Sequence, residues 1–157
     1  MKRALLLLVL GGCGAADSGP RVPLSIVLEG ATGPSVAKLQ VVLAAPSELF
    51  DPLEHPDACT KDWIPAEDAL PLTGPDGAQH PSQIITLSSN AAQSASITGI
   101  PPAKNVVLVI EGISADNRLI SRGVKSPIAE ITAGDNPPVE VTLSPISADG
   151  GCENPLY

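Results

Sequence analysis

Aromatic residues are almost missing from this chain of 157 residues: Phe50, Trp63 and Tyr157 are all it has. A core must therefore be assembled from Val, Ile, Leu and Ala, and one tryptophan is too little for a carbohydrate-stacking platform. Bases are also scarce, 9 Lys and Arg against 17 Asp and Glu. That balance excludes the basic footprint of a nucleic-acid binder and the polybasic patch that binds anionic lipid. Long apolar runs are absent too. The run over 4–10 is seven residues, far short of the ~20 that span a bilayer as a helix. No nucleophile elbow, zinc-protease helix motif, glycine-rich phosphate loop or EF-hand loop occurs in the sequence. No enzyme and no cofactor is expected from it. What the chain does have is 43% hydrophobic residues, ample for a core, and 17 Pro with 14 Gly. Those two types make about a fifth of the chain, below the 25–30% or so that marks low-complexity disorder. One domain of ordinary size fits this length.

The N-terminus carries the most specific signal. Lys2 and Arg3 form a basic head, Ala4 to Leu10 an apolar stretch, and Leu10-Gly11-Gly12-Cys13 closes it. This order resembles a bacterial lipoprotein signal peptide with its lipobox. The resemblance implies that 1–12 is removed, that Cys13 is lipidated, and that 13–20 is a flexible tether. Each buried CH₂ of an acyl chain contributes about 0.8 kcal/mol, so two or three chains make a stable anchor. It also implies an envelope location, held to the membrane through the N-terminal lipid. Gly14, where Asp would retain an enterobacterial lipoprotein in the inner membrane, leans this toward the outer membrane. At most ~3.5 Å per residue, the tether from Cys13 to Pro20 holds the domain about 28 Å from the lipid. Loss of Lys2 and Arg3 leaves 7 bases against 17 acids, a net charge of −10.

With Cys13 assigned to lipid, Cys59 and Cys152 remain as an even pair in a compartment that permits disulfides. A Cys59–Cys152 disulfide is expected. It would close a loop of about 94 residues, worth roughly 4.6 kcal/mol on the chain-entropy estimate.

Beyond Pro20 the period-2 alternation of strands dominates. The spacing predicts strands at 24–29 and 37–45, joined as an antiparallel hairpin by the turn at 31–35. Further strands are expected at 83–89, 94–98, 105–114, 118–123, 127–132 and 139–144. The 105–114 strand is apolar on both faces and should be central. In the last strand Val139, Val141 and Leu143 should face inward. The sum is an all-β fold, a single antiparallel β-sandwich of about 7–8 strands over residues 21–145, with a C-terminal tail at 146–157. In the second half Ile97, Gly99-Ile100-Pro101, Gly134 and Val139/Val141/Leu143 are similar to the outline of the immunoglobulin-like or prealbumin-like modules of bacterial surface lipoproteins. That outline describes a fold rather than a chemistry.

Residues 46–83 break the pattern with seven prolines, eight acids and the single base Lys61. A loop this long is usually either functional or a solvated excursion. A short helix is expected over 65–70, with Pro65 in its first turn, and Leu49-Phe50 and Trp63-Ile64 should fold back over a sheet edge or the sandwich end. His55, Asp57, Cys59 and His80 are residue types that ligate zinc, but they lack a recognised ligand spacing, so no metal is expected. The resulting expectation is a non-enzymatic, lipid-anchored β-sandwich with a structural or binding role and an envelope protein as partner. The alternative is a protein that binds a small ligand, a cation or a partner through the acidic loop 46–83.

Overall fold

The computed structural model describes residues 22–28, 36–45, 64, 67–74, 76–87 and 93–146. Nine strands form from them, and no helix occurs among the described residues. They are β1 (Val22–Leu28), β2 (Val36–Ala44), β3 (Leu72–Thr73), β4 (Gln79–His80), β5 (Gln83–Thr86), β6 (Gln93–Ile97), β7 (Ala103–Ser114), β8 (Leu119–Ile131) and β9 (Val139–Pro145). Seven are hydrogen-bonded in the order β5-β2-β7-β8-β9-β1-β6, and β3 and β4 pair separately.

The seven-stranded ladder closes into a β-sandwich because it doubles over at the β8–β9 seam. Only Ser121↔Pro145 and Arg122↔Ser144 pair there. At Gly123 the two strands cross so closely that an added Cβ would lie 2.5 Å from the Thr142 carbonyl oxygen. Glycine at this position is thus a condition of the fold. One layer is β5-β2-β7-β8 and the other β9-β1-β6. The core between them joins Leu39, Val41 and Leu43 of β2 and Leu108 and Ile110 of β7 to Val22, Ile97, Val141 and Leu143 of the facing layer. All are aliphatic, as the shortage of aromatics requires.

β7 lies between β2 and β8 and is buried continuously from Val106 to Ser114, which is why its sequence is apolar on both faces. The inward set Val141 and Leu143 of β9 is as the alternation predicts. Three expectations are corrected. β1 and β2 do not form a hairpin: β1 pairs antiparallel with β6 and parallel with β9, while β2 pairs with β5 and β7. Residues 118–123 and 127–132 are parts of one 13-residue strand, β8, bent by a register shift against β7 between Val106 and Leu108. Residues 67–69 form a turn and a bridge from Ala69 to Ala44 in place of a helix turn.

The second half of the acidic segment is a cover for the sheet. Leu70 N–H donates to the Leu43 carbonyl and Ala45 N–H to the Asp68 carbonyl. Ile64 is buried against Val42, Ala44, Val107 and Val109 on the outer face of β2 and β7, two inner strands rather than a sheet edge; Leu49, Phe50 and Trp63 lie outside the described residues. Leu72 enters the main core.

Candidate functional site

Alternation along β7 sends Val106, Leu108 and Ile110 into the shared core and Val107, Val109 and Glu111 to the opposite, outer face. Register then sets Gln40, Glu111 and Arg122 in a row across β2, β7 and β8. Arg122 donates from Nη2 to Glu111 Oε1 at 2.6 Å and from Nε to the same oxygen at 3.1 Å. The two side chains are 3% and 0% exposed. Gln40, equally buried, donates from Nε2 to Ser82 Oγ at 3.0 Å. Desolvating two charges costs several kcal/mol per ion, which their attraction recovers only with good geometry. The row therefore fixes which residues face one another across three strands.

A second polar group sits on the β3–β4 hairpin. His80 Nε2 lies 3.1 Å from both Asp76 carboxylate oxygens. The Ala78 N–H and then His80 hold the Asp76 carboxyl below its ordinary range. Thr73 N–H donates to the Gly99 carbonyl, and Gln83 Nε2 donates to the carbonyls of Thr73 and Thr98 at 3.0 and 2.9 Å. Gly99 has φ 72, and an added Cβ there would collide with the Thr73 side chain, so the "GIP" turn needs its glycine.

The third group is the β7–β8 hairpin. Asn117, with φ 64, takes the left-handed turn position that asparagine tolerates, and its Oδ1 accepts from Lys38 Nζ at 2.9 Å. Ser114 Oγ donates to Asp116 and accepts from Arg118 N–H at 3.1 Å. The Ser114 hydroxyl is the main cause that lowers the Asp116 carboxyl below its usual range.

Of the residues singled out in the sequence, Cys13, Cys59, Cys152, His55 and Asp57 lie outside the described residues. His80 is described, and its close partner is Asp76. Among the described residues no three His, Cys, Asp or Glu side chains are grouped to hold a metal ion. Nor is any helix among them long and apolar enough to cross a membrane.

The Glu111–Arg122 pair was missed in the sequence, although a signal for it exists. Each residue stands five positions from the Asp116-Asn117 pair; the turn itself is the three-residue loop 115–117 closed by Ser114 and Arg118, and the register shift between Gly112 and Ile113 brings Glu111 opposite Arg122. A lone acid in an apolar strand and a lone base at the mirror position is a cross-strand ion pair in waiting. No known protein family matches the chain, and no curated protein matches it.

Proposed function

We propose that this chain is a lipid-anchored envelope protein whose β-sandwich serves a non-enzymatic structural or binding role. The observation that carries the reading is the order Lys2-Arg3, apolar 4–10, Leu10-Gly11-Gly12-Cys13, in which every lipobox position is filled. Two features of the fold support it. The first described strand begins at Val22, nine residues after Cys13, which leaves room for a tether. The polar clusters on the described surface hold turns and strand register.

The module reading is supported in the same way. Ile97 and Ile100 are buried, Gly99 and Gly134 both take positive φ, and Val141 and Leu143 fill the core. The residues that resemble immunoglobulin-like or prealbumin-like modules thus have structural work to do in a sandwich. A Cys59–Cys152 disulfide belongs to the same proposal. Binding through the pooled carboxylates of 46–83 has less support, because Ile64, Ala69 and Leu72 use the second half of that segment to cover the sheet.

Cys13→Ser tests the anchor. In a bacterial host the wild-type chain should incorporate labelled palmitate and sediment with membranes, and the variant should do neither. A wild-type chain that takes up no label would overturn the proposal.

A further inference from the structure

Strand directions decide which end of the sandwich an N-terminal lipid would hold. β1 runs parallel to β9, β9 runs antiparallel to β8, and β8 runs antiparallel to β7. The starts of β1, β7 and β9 therefore share one end of the sandwich. The ends of β2, β6 and β8 join them there, because Val22 pairs with Ile97 and Ala103 with Ile131. The loop at 132–138 and the cover residues 67–70 lie at the same end, the latter through Ala44↔Ala69. The opposite end carries the β7–β8 hairpin, with Lys38 bonded to Asn117.

We infer that, on its lipid anchor, the domain stands with the Val22 end toward the bilayer and presents the β7–β8 hairpin end outward. The inference rests on the anchor proposed above and adds the orientation. A length comparison carries it. Val22 stands nine positions after Cys13, a reach of at most ~32 Å at ~3.5 Å per residue. β7 alone has 12 residues, about 40 Å at ~3.3 Å each. A tether shorter than the domain is long leaves no room for the hairpin end to point straight down at the lipid.

Charge sets the standoff and not the orientation. Among the described residues at the Val22 end, Glu67, Glu130, Asp135 and Glu140 are exposed, and the base Lys104 lies 3.6 Å from Glu130. Facing anionic headgroups, this acidic end is repelled over about one Debye length, ~8 Å at physiological ionic strength. The domain is thereby held off the surface on its tether, and the hairpin end is the part that reaches farthest into the space beyond. A macromolecular partner meets that end first.

The test uses the full lipidated chain in vesicles of phosphatidylethanolamine and phosphatidylglycerol that carry a headgroup-linked acceptor dye. A donor dye is attached through an azide-bearing residue at either of two exposed positions, Asp135 or Ala115. With a height difference of some 40 Å between the two ends, energy transfer should be about two-fold or more stronger from position 135. Equal transfer, or stronger transfer from position 115, in protein whose intact mass shows acylated Cys13 would overturn the orientation alone. Protein without acyl mass that fails to float with the vesicles would overturn the anchor, and the orientation with it.

Discussion

Glu111 and Arg122 touch each other in the interior of a sheet, and neither has water to fall back on. Removing one leaves the other as an uncompensated buried charge, so Glu111→Ala or Arg122→Ala should each cost about 3–5 kcal/mol in urea unfolding. The double change Glu111→Leu with Arg122→Met should recover most of that loss. If the single variants unfold like wild type, the pair is not what fixes the register. The carboxylates of the turns give a pH signature. Asp76 and Asp116 both have lowered pKa values in the folded chain. Each therefore adds stability that is present above the unfolded-state value of about 3.8 and is lost as the pH falls through the lower folded value. Asp116→Asn should accordingly flatten the acid limb of the stability profile below about pH 4 and leave the neutral region unchanged in slope. This scale was partly legible. The inward aliphatics of β2, β7 and β9 could be read from alternation. The ion pair could not, because the register shift that aligns Glu111 with Arg122 leaves no mark in the alternation.

Elements were recognisable wherever both faces of a strand carry a pattern. β2, β7 and β9 fall within a residue or two of where alternation sets them, because local sequence decides which residues face inward. Partners did not follow from the same signal. β1 and β2 are neighbours in sequence, yet β1 pairs with β9 and β6, and alternation holds no information about which edge a strand joins. The run over 65–70 shows a further limit. Its composition suits a first helical turn, but the backbone bonds from Ala45 to Asp68 and from Leu70 to Leu43 draw residues 68–70 along β2 instead, and Ile64 packs on an apolar face of β2 and β7; residues 65 and 66 lie outside the described residues. Two substitutions test these contacts. Ile64→Ala should cost about 2–4 kcal/mol if the cover is packed, and a loss near zero in thermal or urea unfolding would show it is not. Gly123→Ala should cost about 1–3 kcal/mol or more, since the added methyl meets the Thr142 carbonyl oxygen and not a side chain that can turn away.

For the whole molecule, the proposed anchor and staple both originate in the three cysteines, and the sandwich does not. The sandwich stands on the described strands. A Cys59–Cys152 bond should make reduction lower the unfolding free energy by roughly 4.6 kcal/mol, and reduction without effect would remove it from the account. The proposed anchor is the reading that depends least on the fold, because a lipobox is a linear signal and needs no tertiary context. The hairpin end that the fold sets opposite Val22 was not legible, because it follows from strand directions across the whole ladder. The most direct measurement is the intact mass of the membrane-extracted protein. The account predicts a chain that begins at Cys13 and carries added acyl mass. A soluble product that keeps Met1 and carries no acyl group would contradict it.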